Sequence, residues 1–413
     1  MVKYIRDPIY GIIEIDENYI NSPYFQRLRY IIQNGMAYLV FPSMRHSRFE
    51  HSLGTRYIAS KLLNKILNNI TQDDKSKILE LAMYHDIGHF PFSHTFEFAT
   101  EILKYLNKNK YDQLIRLTGF IKGLAKLHEM MGIRVLKEMN KNDIADLMSK
   151  VYNIEPSNNS EVVKIAKLII NSELDADRLD YLQRDSYYSG AKFGIIDPER
   201  IINEMRICAN GYIFPPKAID DLEHFFLARF HMYSSVYNHV VIEIFNRIMA
   251  YFIAYAISND DINIPTNVQE FIDFTDDKII SILRVKKNDY EPLYNAIINR
   301  RRYLRSTLEG KTAEQLIQLL DQEKVAKDFF NDIIFPYEGK IIIGKTEIET
   351  KRSDIYIERT IGSYQNNTEF EREDIVKLPD RYRIHIAVYD ESLKKEVSRY
   401  FSKNFNIGLT FKS

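Results

Sequence analysis

The chain has 413 residues, 45% of them hydrophobic, enough for a sizeable core in two or three domains or in one extended helical domain with a smaller lobe. Its 56 basic and 57 acidic residues leave a net charge of −1, so no global field draws it to nucleic acid or to a membrane surface. A single cysteine, Cys208, excludes an internal disulfide and fits a reducing cytoplasm.

The opening stretch, MVKYIRDPIYG, has no apolar signal-peptide core. Residues 1–20 alternate Tyr, Ile and polar positions around Pro8 and Gly11, which predicts short strands and a turn. Helical spacing starts at 23. In LGTRYIASKLLNKIL (53–67), Leu53, Tyr57, Ile58, Leu62, Ile66 and Leu67 fall near one face. Thr71 and Asp74 suit the start of a helix through KILELAMYHD, which Gly88 ends and Pro91 stops from continuing. Lys/Asn-rich segments at 105–112 and 138–143, and EPSNNS at 155–160, read as solvated breaks. Helical spacing returns at 161–182, and 220–257 reads as long, aromatic-rich helical segments. Within the latter, IMAYFIAYAI (248–257) is the longest apolar run, far short of the roughly 20 residues of a spanning helix, so it reads as buried. In the last third, 340–360 alternates like a strand and 381–405 reads as strand, then helix. The expected fold is mostly α, with a helical core over 1–275, a helical extension over 276–335 and a small α+β lobe over 336–413.

Two fragments carry chemistry. RFEHSLG contains His51, and YHDIGHFPFSH packs His85, Asp86, His89 and His94 into ten residues. Of ten histidines, six (46, 51, 85, 89, 94, 128) fall in the first third, a skew that marks a site. With the acidic cluster ELDADRLDY (173–181) they offer imidazole nitrogen and carboxylate oxygen. That set suits a first-row divalent cation able to activate water at neutral pH. His51 alone reads as a capped, solvent-facing histidine; the His-Asp doublet reverses that reading. Adjacent helical residues point about 100° apart, so His85 and Asp86 face one ion only near a helix end, which Gly88 and Pro91 provide. For the last ligand, Asp175, Asp177 and Asp180 compete with Glu173, and composition does not choose among them.

His51, the His85-Asp86 doublet and an Asp before a DY pair form an H…HD…D signature. FQRLRYIIQNG (25–35), VFPSMRHSRFEHSLG (40–54), HDIGHFPFSH (85–94) and DRLDYLQRDSYYSG (177–190) narrow it further. Together they resemble the deoxynucleoside triphosphate triphosphohydrolase branch of the HD-domain metal-dependent phosphohydrolases, above all the catalytic core of the SAM-and-HD-domain enzymes and their prokaryotic relatives. The likeness runs from DPIYG (7–11) to about residue 250, and no leading SAM domain is expected. It implies hydrolysis of (deoxy)nucleoside triphosphates to nucleoside and triphosphate. It also implies one divalent ion (Mn, Fe, Mg, Ni or Zn) on His51, His85, Asp86 and Asp177. By the same resemblance His94 handles the proton, oriented by Glu97 where relatives have Asp, and His89 and His128 match phosphate-contacting histidines. Arg178 (Lys in relatives) and Arg229 match phosphate-binding positions, and Arg48 a base-stacking arginine. Gln33, Tyr181 and Asp185 match groups that read the sugar and its 3′-hydroxyl, and Tyr237 a ring near the sugar. Asn34 stands where relatives place Leu against the 2′ position, so strict deoxyribose preference is not expected.

Nucleotide-activated relatives form tetramers with activator at the subunit junctions. Counterparts of those contacts are Lys3, Gln26, Arg29, Arg206, Lys217, Arg301 and Arg305, while Asn21 replaces the acid that reads guanine. Set against this, RRRYLR (300–305) reads equally well as a solvated helix face. The expectation is a cytoplasmic homo-oligomer, dimer or tetramer, that takes nucleoside triphosphates as substrate and activator. One rival is a phosphatase or phosphodiesterase acting on a monophosphate, guanosine tetraphosphate or a cyclic dinucleotide. Arg178, Arg229 and His128, which answer a long phosphate chain, argue against monophosphates. The other rival is a non-enzymatic nucleotide sensor, which has no need of a proton donor at His94.

Overall fold

The computed structural model describes residues 1–120, 123, 125–156, 160–348, 355–360, 368–372 and 379–412. The N-terminal alternation folds as a hairpin of β1 (Val2–Asp7) and β2 (Gly11–Asp16), with Val2 opposite Asp16 and Asp7 opposite Gly11. Asp7 closes the turn by accepting the N–H groups of Ile9 and Tyr10.

Helix α1 (Arg48–Leu63) opens with a Ser47–Glu50 capping box. It stops before Ile66 and Leu67, which the helical stripe was expected to include. There the backbone leaves the helix to pair with Ile207, through Leu67 N–H to Ile207 O and Ile207 N–H to Lys65 O. Leu67 is 58% exposed as a result. Helix α2 (Gln72–Tyr84) starts at the Thr71 and Asp74 cap expected for it. Helices α3 (His94–Leu106) and α4 (Leu127–Glu138) follow. The run 161–182 is not one helix: Glu161–Ile170 ends, and α5 (Ala176–Ser189) begins after a break. Asp175 makes that break by accepting the N–H groups of Ser172 and Arg178, a local alternative to the helical ladder.

Helices α6 (Ile219–Met232) and α7 (Val240–Ser258) are joined by a π-helical turn, Tyr233–Tyr237. Among the described residues α7 alone is long and apolar enough to cross a membrane. However, 83% of its apolar window is buried, mostly against α3 and against a strand of the C-terminal sheet. Helix α8 (Asp276–Val285) comes next, and α9 (Ser392–Phe405) lies near the C-terminus.

The remaining strands are β3 (Arg206–Cys208), β4 (Gly211–Phe214), β5 (Leu304–Glu309), β6 (Ile341–Ile348), β7 (Ile355–Thr360), β8 (Thr368–Arg372) and β9 (Arg381–Val388). They form two sheets, of order β3-β4-β7-β8 and β5-β9-β6. The fold is thus mostly α with small sheets, as expected. One further detail differs from the sequence reading. The segment 276–335, read as helical, also supplies β5, because β9 offers its open edge to residues 304–309. In the segment 336–413, β7 pairs in parallel with β4. Residues 349–354 of the expected strand stretch and 157–159 of the expected loop lie outside the described residues.

Candidate metal centre and cleft

Helix α1 carries His51 on its buried face, the end of α2 presents His85, and the first turn of α5 presents Asp177. One ligand atom from each lies within 4.8 Å of the others. His51 Nε2 is 2.9 Å, and His85 Nε2 3.8 Å, from Asp177 Oδ1. Asp86 Oδ2 sits 3.5 Å from His51 Nε2 and 3.4 Å from His85 Nε2, yet Asp86 also belongs to a neighbouring group with His89 and His128. The doublet occupies a helix end, as its geometry requires. A Cβ on Gly88 would lie 2.2 Å from both Gly132 N and His128 O, so only glycine lets this turn seat against α4.

The donors fit a divalent cation. His85 Nδ1 bonds to Ala82 O at 2.9 Å, which puts the ring proton there and leaves Nε2 as a lone pair. That Nε2 is buried and has no hydrogen-bond partner, which is unusual for an interior polar atom unless a ligand takes it. His51 Nδ1 faces Asp180 Oδ2 at 2.8 Å, an arrangement that orients the ring and raises its basicity toward a metal. Asp180 is in turn held by Arg184 through Nε and Nη2, both at 2.9 Å, and Arg184 Nη1 reaches Asp7 at 2.9 Å. A Cβ on Gly54 would lie 1.8 Å from Asp180 Oδ1, so α1 approaches α5 this closely only with glycine there.

The four acids that compete in the sequence separate by what they touch. Asp175 is buried and caps α5. Burial pushes its carboxyl up to about 7 against the pull of Arg178. Asp180 buttresses His51. Glu173 pairs with Arg229 at 3.2 Å. Of the four, Asp177 alone points an oxygen at both His51 and His85. Burial opposes its ionisation, but the His51 hydrogen bond holds it far below the usual carboxylate range. Asp177→Ala is therefore expected to strip the metal. Asp175→Ala should keep it and lose about 1 kcal/mol of stability with the helix cap. Metal content and thermal melting of the two variants decide between them, and the reverse metal result would move the ligand to Asp175.

A second cluster adjoins the first. Glu97 Oε2 lies 3.0 Å from His94 Nδ1, and Oε1 lies 2.6 Å from His128 Nδ1. One carboxylate thus holds two imidazoles, where sequence reasoning paired it with His94 alone. Burial opposes ionisation of Glu97, yet the two histidines keep its carboxyl well below its ordinary range. His128, which read in isolation as an exposed polar residue, is buried and stacks on His89 with ring centroids 3.8 Å apart. The His94 ring is half exposed.

His94 opens on a cavity of 350 Å³ whose lining also includes Gln33, Asn34, Arg48, Asp177, Arg178, Tyr181, Asp185 and Tyr237. In its wall Asp185 Oδ1 meets Asn34 Nδ2 and His46 Nε2, both at 2.7 Å, and Oδ2 accepts from Tyr237 OH at 2.7 Å. Arg48 is buried and engages three segments, through Nη1 to Asp86 at 2.5 Å, Nε to Ser93 Oγ at 2.9 Å and Nη2 to Gln33 O at 3.2 Å. Arg178 pairs with Asp175 and faces the cavity. Arg229 does not line it: this residue sits behind, between Glu173 and the Tyr233 ring.

Sequence reasoning assigned no role to His46, Lys126, Tyr233, Asn246 or Lys345, although each lines the cavity or supports it. Only His46, two residues before Arg48 in a quoted motif, had a local signal. The expected activator contacts serve local bonds in the single chain. Lys3 pairs with Glu17 at 3.0 Å, Gln26 bonds Ile20 O at 2.7 Å, and Arg29 bonds Gln26 while covering the Phe49 ring. Asn21 caps a short helix, Lys217 pairs with Glu204 at 2.8 Å, and Arg301 meets Tyr389 and Asp390. Arg305 lies in β5, with its backbone bridged to Lys412.

The HD domain model matches residues 48–185, and the HD associated region model matches 196–330. The chain is 35% identical over 294 residues to the uncharacterized protein MJ1154 of Methanocaldococcus jannaschii, covering 70% of this chain and 56% of that protein. It is 26% identical over 418 residues to the deoxynucleoside triphosphate triphosphohydrolase SAMHD1 homolog of Dictyostelium discoideum, covering 97% and 75%. The crystal structure of a hypothetical protein from Aquifex aeolicus superposes with a TM-score of 0.72 at 28% identity, covering 96% of this chain and 98% of that one. The chain spans about half the length of most of the curated relatives it matches. With an HD domain and its associated region in order, and a His/Asp cluster at the HD doublet, the chain belongs to the HD-domain metal-dependent phosphohydrolase family.

Proposed function

We propose that this chain hydrolyses (deoxy)nucleoside triphosphates to nucleoside and intact triphosphate. The observation that carries the reading is that one cavity is lined both by Asp177, His94 and Arg178 and by Asp185, Gln33 and Tyr237. A phosphate chain would face the first group and a sugar the second. His51, His85, Asp86 and Asp177 would hold a divalent ion, which when bound supplies Lewis-acid charge and an activated water at neutral pH. Asp180 keeps His51 oriented. Arg178 neutralises phosphate charge. Glu97 occupies His94 Nδ1, so Nε2 is the atom that gives its proton to the departing 5′-oxygen. His89 and His128 are buried and do not line the cavity; their stacked rings pack edge-on against His94 and help to hold it. The composition supports a cytoplasmic setting.

Mass spectrometry of products from a mixed NTP and dNTP panel, with Mn, Mg, Fe, Ni and Zn in turn, tests the proposal. Intact triphosphate is expected. Release of single phosphate or pyrophosphate from dNTP rules out this cleavage site. Turnover confined to monophosphates, guanosine tetraphosphate or cyclic dinucleotides favours a different HD hydrolase, and binding without turnover favours a sensor.

Sugar selectivity follows from Asn34. Its amide nitrogen bonds Asp185, which leaves its carbonyl oxygen for a 2′-hydroxyl. Asn34→Leu is expected to lower ATP or GTP turnover more than that of the deoxy forms, by the roughly 1–3 kcal/mol of an unpaired polar group. A wild type that already rejects ribonucleotides a thousandfold would show that Asn34 does not read the sugar.

Assembly belongs to the same proposal. Lys3, Arg29, Arg206, Lys217, Arg301 and Arg305 would converge at subunit junctions of a dimer or tetramer, with nucleotide offsetting their repulsion. Light scattering with and without dNTP, on wild type and on Arg301→Glu/Arg305→Glu, is expected to show nucleotide-dependent assembly in the wild type only. A fully active monomer at every nucleotide concentration would remove the regulatory claim alone.

A further inference from the structure

Immediately before His94 the chain passes through two left-handed residues, Phe92 (φ 58°) and Ser93 (φ 55°, ψ −125°). A β-carbon strains both conformations, so contacts from elsewhere must hold them. Ser93 Oγ donates to Ile32 O at 2.6 Å and accepts from Arg48 Nε at 2.9 Å. The Phe92 N–H donates to Asp276 Oδ1 at 2.7 Å, and the Ile32 N–H donates to Oδ2 of the same carboxylate at 2.8 Å.

Asp276 is the first residue of α8, where the helix end favours an anion. Its two oxygens therefore join two segments of the cavity wall. One is the turn that aims His94; the other leads into Gln33 and Asn34. Arg27 ties the same parts together, with Nη1 on His89 O at 2.8 Å and Nη2 on Phe274 O at 2.5 Å. Asp276 and Phe274 lie in the HD associated region, outside the HD domain match. The second region thus reaches back to shape the site of the first.

We propose that Asp276 is a positioning residue for His94: it clamps the strained Phe92–Ser93 turn to the Ile32 segment, fixing the distance between proton donor and nucleoside-reading wall. The inference rests on the reading of His94 as proton donor. A carboxylate is needed because both neighbours are donors. An asparagine offers one acceptor and turns its NH₂ toward the other N–H.

The test uses the full, metal-loaded chain and two substrates. Cleavage of a dNTP at the α-phosphorus expels the nucleoside 5′-oxygen as an alkoxide that needs a proton, whereas cleavage of bis(4-nitrophenyl) phosphate expels a nitrophenolate that does not. Asp276→Asn is expected to lower kcat on dNTP about 10- to 100-fold, a fraction of a full acid-catalysis effect, with KM and metal content held. Turnover of the nitrophenyl ester should stay near wild type. Equal loss on both substrates, or no loss on either, overturns the proposal. Ser93→Ala, which cuts the turn's other tether, carries the same comparison if Asp276→Asn does not fold. Hydrogen exchange at the Phe92 and Ile32 amides separates this claim from the functional one. Protection in wild type and loss of it in Asp276→Asn supports the clamp even if no nucleotide is cleaved, and equal protection in both overturns it.

Discussion

His94→Ala is expected to bind metal and nucleotide as the wild type does and to turn over about 10²–10⁴-fold more slowly, the scale of a lost general acid. The His51–His85–Asp177 group does not include His94, so an ion held there should stay; loss of metal in His94→Ala would place an ion in the separate His94–Glu97–His128 group instead. The ring is half exposed and Glu97 accepts from Nδ1, so Nε2 is the nitrogen free for a leaving group, and it carries a proton to give in the imidazolium form. Glu97→Gln should reproduce part of the loss. A glutamine accepts from one imidazole and presents its NH₂ to the other, so His94 and His128 cannot both keep their bonds. Single-turnover rates on dNTP, alongside nucleotide affinity, check this. A His94→Ala variant within threefold of wild type would assign the proton to another group, with His128, whose ring lies 5.4 Å from His94, the first to examine.

The parts of this site that are legible in the sequence are those that are contiguous in it. The His85-Asp86 doublet, its glycine and the nearby His94 sit within one turn-rich stretch, and their spacing alone predicts a helix end facing an ion. Asp177 is different: four acids lie within eight residues, and spacing does not rank them. Their roles follow from tertiary partners. Asp175 meets backbone N–H groups, Asp180 meets Arg184, and Glu173 meets Arg229. The resemblance to a known family selects Asp177, and the contacts give a physical reason for that choice. Asp276, His46 and Lys345 were silent for a related reason. Each acts on a segment far away in the chain, and no local periodicity records such a meeting. The same limit applies to the fold. Leu67 fits the helical stripe of α1, but a bond to Ile207 outweighs the propensity of one more turn. Residues 304–309 carry no strong strand pattern and become β5 because β9 is there to pair with them.

Asp180→Ala is expected to cost both stability and metal. Arg184 is completely buried and makes two of its three bonds to Asp180; the third goes to Asp7. Removing Asp180 leaves a buried guanidinium half paired and His51 Nδ1 without an acceptor, a loss of about 3–5 kcal/mol for a broken buried ion pair. Metal affinity should fall about 10–100-fold, because the ring that presents Nε2 is no longer fixed. The pH dependence runs in two directions. Burial would raise the Asp180 carboxyl, but Arg184 and His51 pull it down from 3.8 to about 2, so its stabilisation is present above about 4 and is lost as pH falls toward 2. Burial opposes charging of His51, but its bonds to Asp177 and Asp180 raise it from 6.5 to about 10. In the metal-free protein that stabilisation is present below 6.5 and is lost as pH rises toward 10. A cation at Nε2 competes with that proton, so metal affinity should rise about tenfold per pH unit between 7 and 9. Calorimetric titration of the metal-free chain in buffers of different ionisation enthalpy is expected to find one proton released per ion at pH 7.5. No proton release there would mean that His51 is already neutral, and that Asp177 and Asp180 do not hold it charged. In Asp180→Asn one of those two partners loses its charge, so the proton leaves at lower pH and the slope of affinity against pH flattens earlier.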